Sequence, residues 1–412
     1  MSAVRWGMLS TAGIGRMVAS AVRGSGDTRF VAVASRDAAK ARGFAAEFGL
    51  PLSFGSYQDL LAWHEVDAVY VPLPVAMHTE WTIRALNAGK HVLCEKPFAV
   101  TAADAGRCFD AAKAASRLVI EGLMWREHPQ TAVAVQLVAQ GAIGRLAFIR
   151  AALSVSAPPG DIRRTSVLGG GAVLDLGCYC ISAIRLFGGQ PLQVRAVQVP
   201  DPAPGAQGCD LRLAATLTLP DDVVGQFDVG LDLTRRDELE LIGTEGKVVV
   251  PDPWLCRTGR VELHSGAKAE YLAADPNGAF GLGPGEHDAY RIELDAASRA
   301  ITEGTPPRFG RADAVEQAVV IETVRRAARE RRRRRCAGRD RPRRHAWAGH
   351  RVRRREGSPM TSSAGAPGTP VARGGSFSLE SVNAQVDNRS PTLSAKRNAF
   401  YGFRVCAAPR QR

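Results

Sequence analysis

The stretch GGGAVLDLGCYC contains a carboxylate and a phenol that could move a proton together. Asp175 and Tyr179 lie four residues apart, so they share one face if the segment is an α-helix. Oxidation of an alcohol, or reduction of a carbonyl, requires one proton to move along with the hydride, and such a pair can carry it. The alternative is a structural aspartate beside a core tyrosine, which the helix taken alone favours.

A lysine in the segment GKHVLCEKP supplies a positive charge for the same chemistry. Lys96 lies between Glu95 and Pro97, directly after a strand-like run. An ammonium group near Tyr179 would lower the pKa of the phenol from its ordinary value of about 10. An isolated EKP segment is more typical of a surface turn, so a catalytic role for Lys96 depends on the residues around it.

The stretch STAGIG has the outline of a dinucleotide-binding turn. In the pattern GxGxxG the glycines permit a tight turn, a close approach to pyrophosphate and close helix packing. Ser10 and Ala12 replace the first two glycines, whereas Gly15 keeps the third. The residues remain small, and a helix beginning near Gly15 would offer its N-terminal amides to an anion. By itself the stretch fits a nucleotide site and a packing corner equally well.

The end of the second strand-like run indicates which nucleotide is involved. An NAD site usually has an acidic residue here, which binds the ribose 2′-hydroxyl, but this chain has Ser35 and Arg36. A hydroxyl and a guanidinium suit a 2′-phosphate, so NADP is favoured over NAD, which stays possible. Asp37 is either the acid in a shifted register or the first residue of the next helix.

These residues are carried by alternating strands and helices. Strand-like runs cover residues 4–9, 30–34, 66–74, 90–97 and 118–125. Helical patterns cover residues 14–23, 37–48, 57–63, 78–88 and 101–116. This alternation predicts an α/β fold with an N-terminal doubly wound parallel sheet, a Rossmann domain over residues 1–122. Ligands bind such sheets at the carboxyl ends of the strands, where Lys96 and the STAGIG turn would meet.

The pattern changes after about residue 125. A helix over residues 129–140 is followed by longer alternating strands such as LAFIRAALSVS and DLRLAATLTLP, and by a turn at residues 243–246. An amphipathic helix over residues 314–332 closes this part. We predict a second, α+β domain over residues 123–330 with an open, mainly antiparallel sheet.

The net charge of +13 belongs to one segment. Sixteen arginines between Arg325 and Arg355 face only two acidic residues, an excess of +14, so the rest of the chain sums to −1. We expect residues 331–412 to form a basic, disordered tail, because they cannot bury enough apolar surface. The tail is a cationic arm that binds nucleic acid or an anionic surface, a regulatory extension, or an out-of-frame translation of GC-rich coding sequence. We favour an out-of-frame or nonfunctional extension over the binding arm.

Composition argues against other classes of protein. The eight cysteines form no CxxC pair and no zinc-like spacing with histidine, so we expect reduced thiols and no metal site. The chain shows no run of about 18 apolar residues and no signal-peptide pattern. We therefore expect a cytoplasmic protein without membrane insertion.

Together, the motifs resemble the Gfo/Idh/MocA oxidoreductase family. GMLSTAGIG, ASRD, GKHVLCEKP, LMWREHPQ and GGGAVLDLGCY occur in the family's order over residues 4–325. They are most similar to the branch of dihydrodiol dehydrogenase, NADP-dependent D-xylose dehydrogenase and glucose-fructose oxidoreductase. The resemblance implies that Tyr179 exchanges the proton, that Lys96 assists it, and that Asp175 orients the substrate. It also implies a cis Lys96–Pro97 bond and a homodimer.

The resemblance also implies a set of cofactor contacts. Ser10, Ala12, Gly13 and Ile14 would contact pyrophosphate, Ser35 and Arg36 the 2′-phosphate, Leu73, Pro74 and His78 the adenosine and ribose, Glu95 and Lys96 the nicotinamide ribose, and Trp125 and Arg126 the nicotinamide and substrate. His128, next to proline, is more typical of a structural residue. Arg163 and Arg164 either meet a polar substrate or face water.

Two functional hypotheses follow. The first is an NADP-dependent oxidoreductase acting on a sugar or a cyclic trans-diol. The second is a regulatory protein that senses NADPH and binds nucleic acid through its basic tail. The Lys96, Asp175 and Tyr179 set favours the enzyme, because a sensor needs no proton relay.

Overall fold

The structure is a computed structural model that describes residues 2–274 and 288–337. Its N-terminal part is built on a six-stranded parallel sheet. Its strands are β1 Val4–Leu9, β2 Thr28–Ala34, β3 Leu52–Phe54, β4 Ala68–Val71, β5 His91–Glu95 and β6 Val119–Gly122. The order is β3-β2-β1-β4-β5-β6. Strand β1 pairs in parallel with both β2 and β4, so the direction of winding reverses there. A doubly wound sheet binds ligands beside such a reversal.

Helices cover both faces of this sheet. They are α1 Gly13–Ala21, α2 Ala38–Phe48, α3 Tyr57–Ala62, α4 Val75–Asn87 and α5 Ala102–Ala115. Two later helices return to the same sheet: α8 Ala289–Glu303 packs on β1 and β2 next to α1, and α9 Arg311–Ala337 packs against α5. The sequence patterns did not predict β3 or α8, since β3 has only three residues and α8 follows a glycine-rich stretch.

The second sheet has eight strands. They are β7 Leu146–Ser156, β8 Gln193–Pro200, β9 Asp210–Thr218, β10 Val224–Gly230, β11 Asp232–Gly243, β12 Gly246–Val250, β13 Arg260–Ser265 and β14 Lys268–Ala273. The order is β14-β13-β12-β11-β7-β10-β9-β8, in which β7 and β10 pair in parallel and the other described pairs are antiparallel. Helices α6 Pro129–Ala139 and α7 Cys178–Gly188 accompany this sheet. The predicted fold class is therefore confirmed.

Apolar packing joins the two sheets around the predicted site. One core cluster contains Trp6 and Tyr70 of the first sheet together with Leu174, Tyr179 and Trp254 of the second part. One segment, Ser166–Gly188, is long and apolar enough to cross a membrane by length and composition alone. Since 72% of its most apolar window is buried inside the protein, this segment lies in the core.

The arginine-rich region begins inside a helix. Helix α9 continues to Ala337, so the first residues of the predicted disordered tail are helical and the helix runs beyond its predicted end at residue 332. The remainder of the predicted tail, residues 338–412, lies outside the residues that the structure describes. The interpretations of the tail therefore stay predictions.

Candidate active site

The dinucleotide turn keeps its shape although two glycines are missing. Ser10 adopts a φ of 139°, a conformation that glycine ordinarily supplies, and its Oγ accepts a hydrogen bond from the Ala12 amide at 3.0 Å. A Cβ added to Gly13 would meet no atom within 4 Å, whereas one added to Gly15 would lie 2.6 Å from Met8 Sδ. Gly15 thus permits helix-to-sheet packing, and Gly13 leaves open space beside the turn.

The helix that follows this turn presents its amides to that space. Helix α1 begins at Gly13 after Ala12, and no side chain caps it among the residues that the structure describes. Its first turn contains no acidic residue. The N-terminal amides of a helix carry partial positive charge and bind anions. The turn and helix can therefore hold a pyrophosphate, while Ile14 packs against the core.

The residues after β2 distinguish between the two interpretations of Asp37. Its carboxylate caps α2 by accepting hydrogen bonds from the Ala39 amide at 2.9 Å and the Lys40 amide at 3.1 Å. These bonds, the one from Lys40 first, lower the pKa of Asp37. Asp37 is thus the start of the helix. Arg36 is exposed and makes no ion pair within residues 2–274 and 288–331, so its guanidinium is available to a phosphate.

Lys96 lies at the carboxyl end of β5 and reaches across to the second part of the chain. Its Nζ donates to the Asp175 carbonyl oxygen at 2.8 Å and to Asp175 Oδ1 at 3.0 Å. The Lys96–Pro97 bond is cis, as the resemblance implied. Burial alone would lower the pKa of Lys96, but the charge of Asp175 and other neighbouring groups raises it overall. Lys96 therefore remains an ammonium ion.

Asp175 lies in a short π-helix, Val173–Gly177, rather than in the predicted α-helix. Three glycines precede this turn and let the chain pack closely against the loop at Arg163. Gly171 has a φ of 132° and donates its amide to the Arg163 carbonyl. A Cβ at Gly170 would lie only 2.7 Å from the same carbonyl oxygen. Asp210 of β9 accepts from the Val173 amide at 2.7 Å and so holds the first turn. Single π-turns occur frequently at functional sites.

Tyr179 lies in α7 beneath the Lys96 ammonium. The Lys96 Nζ is 4.9 Å from the centre of the Tyr179 ring, the Trp254 ring centre is 5.7 Å away, and the phenolic hydroxyl donates to Met124 Sδ at 3.6 Å. Burial raises the pKa of Tyr179 well above its ordinary value. The predicted lowering of the Tyr179 pKa was wrong, because burial of the phenol outweighs the effect of the Lys96 ammonium over its ring.

A cavity of about 100 Å³ adjoins this group. Leu73, Pro74, His78, Lys96 and Asp175 are among the residues that line it. The His78 ring nitrogens lie 2.7 Å from the Leu73 carbonyl and 2.9 Å from the Pro97 carbonyl, and burial lowers the pKa of His78 to about 4. His78 is therefore neutral, and its single N–H donates to one of these two carbonyls at a time beside the cavity.

The segment LMWREHPQ contributes mainly through packing. Trp125 is 1% exposed, and its ring meets that of Trp254 edge to face at 5.7 Å. The guanidinium of Arg126 bonds to Asp313 and to Ser182, and it does not line the cavity with Lys96. His128 caps α6 through Nδ1, which accepts from the Gln130 amide at 3.1 Å. Its structural role is the one that its position before proline indicated.

Several residues near the site carried no motif. Glu95 accepts a hydrogen bond from the Tyr70 hydroxyl at 2.6 Å, and its burial raises its pKa. Tyr290 and Glu293 of α8 are buried nearby, and burial raises the pKa of both. Sequence reasoning missed Tyr70, Tyr290 and Glu293 because single aromatic and acidic residues on ordinary elements give no signal of their own.

The two arginines of the loop before the π-helix have different surroundings. Arg164 forms a buried pair with Asp201, with Nε at 2.6 Å and Nη2 at 2.8 Å from its two oxygens, and is structural. Arg163 pairs with Asp161 and lines the cavity together with Lys96 and Asp175. Of the two, only Arg163 can meet a ligand there.

Comparison with known proteins gives matches over both parts of the chain. Residues 4–123 match a family model described as "Oxidoreductase family, NAD-binding Rossmann fold", and residues 131–249 match one described as "GFO/IDH/MocA C-terminal domain". An uncharacterized oxidoreductase of Rhizobium meliloti is 36% identical over 74% of this chain and 91% of its own length.

Two further proteins resemble the chain over most of their length. The NADP(+)-dependent D-xylose 1-dehydrogenase 2 of Haloferax volcanii is 34% identical, over 77% of this chain and 95% of its own. The crystal structure of a 3-ketoreductase from Actinomadura kijaniata in complex with NADP and TDP-benzene is 30% identical, with a TM-score of 0.71 and coverage of 79% of this chain and 98% of that one.

Proposed function

Since the chain belongs to the Gfo/Idh/MocA family of oxidoreductases, we propose that it is an NADP-dependent dehydrogenase acting on the CH–OH group of a sugar or a cyclic trans-diol. The observation that carries this proposal is the arrangement of three side chains at the end of β5. Lys96 bonds to two oxygens of Asp175 and lies over the ring of Tyr179. The similarity to a D-xylose dehydrogenase and to a 3-ketoreductase supports a carbohydrate-like substrate.

The residues of the N-terminal sheet fit NADP. The Ser10 turn, the open space at Gly13 and the uncapped start of α1 suit a pyrophosphate, and the exposed Arg36 beside Ser35 suits a 2′-phosphate. When bound, NADP supplies or accepts a hydride at its nicotinamide. We assign the rest of the binding surface by resemblance to Ala12, Ile14, Leu73, Pro74, His78 and Glu95, whereas Trp125 and Arg126, which are 1% and 3% exposed, act through packing.

Tyr179 is the proposed proton donor and acceptor. Its raised pKa keeps the phenol protonated at neutral pH, so the proton is present when a substrate carbonyl becomes an alkoxide. The Lys96 ammonium, which lies over the face of the ring, then stabilises the negative charge of the phenolate electrostatically. Asp175 holds Lys96 in place and accepts hydrogen bonds, so it is also available to a substrate hydroxyl.

We also propose a partner subunit, on the basis of the family resemblance and of the exposed face of the eight-stranded sheet. We propose a cytoplasmic homodimer whose second copy covers the open face of the eight-stranded sheet, where Val197 and Val199 of β8 are 41% and 47% exposed. A regulator that only senses NADPH has no use for Lys96, Asp175 and Tyr179 together, so the enzyme is the function we favour. Nucleic-acid binding would depend on the tail alone.

Two measurements test this function. NADPH and NADH are titrated against the full-length protein by fluorescence, and turnover is then followed with a panel of aldoses and cyclic trans-diols. Replacing Tyr179 by Phe should reduce kcat by about 10²- to 10⁴-fold while NADPH still binds. The matched control is Tyr271→Phe, because Tyr271 is 62% exposed on β14. Unchanged turnover in Tyr179→Phe would exclude the proposed mechanism.

A further inference from the structure

The loop before the π-helix brings a paired arginine to the wall of the substrate cavity. Arg163 donates from Nε to Asp161 Oδ1 at 2.8 Å and from Nη2 to Asp161 Oδ2 at 2.7 Å. Its side chain is 35% exposed and lines the cavity that also holds Lys96 and Asp175. The guanidinium is thus fixed on one edge and open on the other.

The position of Arg163 is tied to that of the candidate catalytic residues. The Arg163 carbonyl accepts the Gly171 amide at 2.8 Å, only four residues before Asp175. Asp161 caps the 3-10 turn Ile162–Arg164 by accepting the Arg163 amide at 2.9 Å. At the far end of the loop, a Cβ at Gly169 would lie 2.3 Å from a Val75 side-chain atom, so the loop lies tightly against α4. Arg163 therefore keeps a defined orientation toward the cavity.

Each cation on this wall has its own carboxylate. Among the described residues that line the cavity, Lys96 and Arg163 are the permanent cations, and they pair with Asp175 at 3.0 Å and with Asp161 at 2.7 Å. The remaining ionisable residue, His78, is buried beside two backbone carbonyls and is neutral, since burial lowers its pKa to about 4. The cavity therefore offers hydrogen-bond donors and acceptors with little net charge.

We propose that Arg163 is a specificity-determining residue that selects an uncharged polyhydroxylated substrate over a phosphorylated one. A guanidinium has five N–H donors, and Asp161 uses two of them. The remaining donors on Nη1 and Nη2 can bind neighbouring hydroxyl oxygens of a sugar or diol. A phosphate dianion would instead meet a cation already neutralised by Asp161 and would lie close to that carboxylate. This inference rests on the proposed function, whose substrate class it narrows.

Three variants test the inference in the full-length protein with NADP. Arg163→Gln should raise KM for the preferred aldose or diol by about 10- to 100-fold, with NADPH affinity unchanged, because charge-assisted hydrogen bonds are lost. Asp161→Asn should improve the binding of the matching sugar phosphate by about tenfold, since it uncovers the Arg163 charge. The control Arg5→Gln removes a bidentate pair with Asp67, at 2.8 Å and with both side chains 37% exposed. Arg5 lies at the amino end of β1, away from the carboxyl ends of the strands where the site lies.

Ligand binding to the protein–NADPH complex is measured alongside turnover, using thermal shift with D-glucose, D-xylose and D-glucose 6-phosphate. An unaltered KM in Arg163→Gln, or no gain for the phosphate in Asp161→Asn, would overturn the inference. Preference of the unmodified protein for the phosphate would overturn it too, while leaving the oxidoreductase function intact. Absence of turnover with every sugar and diol, despite NADPH binding, would instead reject the proposed function, and the binding measurements would still decide the role of Arg163.

Discussion

Replacing Asp175 by Asn tests the ion pair at the centre of the candidate site. The Asp175 and Lys96 side chains are 22% and 15% exposed, and the Lys96 Nζ donates to both the carboxylate and the backbone carbonyl of Asp175. The variant keeps the size of the side chain and the backbone acceptor but removes the charge. Breaking a fully buried pair costs about 3 to 5 kcal/mol and an exposed pair about 0 to 1 kcal/mol. For this partly exposed pair we expect a loss of about 2 kcal/mol in the free energy of unfolding.

The pH dependence of this loss follows from the pKa of Lys96. In the wild type, burial lowers it, but Asp175 and its neighbours raise it above the ordinary value of about 10.4. A raised lysine pKa gives stability that is fully present below the ordinary value and is lost only as pH rises through the folded value. In Asp175→Asn, burial dominates and the folded state favours the neutral amine. The difference between the two proteins should therefore be largest at neutral pH and narrow as pH approaches about 10.

Urea unfolding followed by tryptophan fluorescence at pH 7 and at about pH 9.5 measures this difference. The matched control is Glu80→Gln, which breaks the Glu80–Arg84 pair. That pair is 2.8 Å long, but its side chains are 49% exposed for Arg84 and 55% for Glu80. The control should cost about 0.5 kcal/mol or less. If Asp175→Asn cost no more than Glu80→Gln, or if its cost grew with pH, the Asp175 charge would not be what keeps Lys96 protonated.

Two further sets of substitutions test the proposed cofactor site, at Ser10 and at Arg36. Ser10→Gly and Ser10→Ala both lose the hydrogen bond from the Ala12 amide, but glycine also relieves the strain of a φ of 139°. Ser10→Gly should therefore be about as stable as the wild type, whereas Ser10→Ala keeps the strain and should be less stable by about 1 kcal/mol in urea unfolding. Equal stability of the two variants would contradict strain at Ser10. Arg36→Ala should weaken NADPH binding by about 10- to 100-fold in fluorescence titration and leave NADH binding nearly unchanged, whereas Arg42→Ala, an exposed position on α2, should affect neither. Equal losses for the two cofactors would remove Arg36 from the 2′-phosphate site.

Local patterns predicted the parts of the site that depend on short stretches of chain. The parallel sheet, the position of Lys96 at the end of β5 and the small residues of the Ser10 turn all follow from strand and helix periodicity and from turn residues. The choice between the roles of Asp37 needed its hydrogen bonds to the Ala39 and Lys40 amides. A ribose-binding acid and a helix cap both fit the sequence Ser35-Arg36-Asp37, so the sequence could not distinguish the two roles of Asp37.

Features that depend on distant contacts were not predictable. The π-turn that carries Asp175 depends on the Val173 amide meeting Asp210, which lies 37 residues later on β9. Tyr290 and Glu293 approach the site because α8 returns to the first sheet after the second sheet is complete. The local spacing of hydrophobic residues does not indicate that a later helix packs back on the first sheet. The separation of Arg163 from Arg164 has the same origin, since Asp201 binds one of two adjacent arginines and leaves the other at the cavity.

Under the proposed mechanism, the protonation states of Lys96 and Tyr179 favour reduction of a carbonyl at neutral pH. Both groups have raised pKa values, so the resting site holds a neutral phenol beside a permanent cation. Reduction of a carbonyl needs that protonated phenol from the start, whereas oxidation of an alcohol first needs the phenol to lose its proton in a buried site. Because Lys96 lies over the ring, its positive charge stabilises the phenolate form of Tyr179. This lowers the energetic cost of proton transfer in both directions, but reduction remains the favoured one. We therefore expect the oxidation rate to rise with pH over a range where the reduction rate stays constant, and a reduction rate that changed with pH in the same way would contradict a phenol that is protonated at rest.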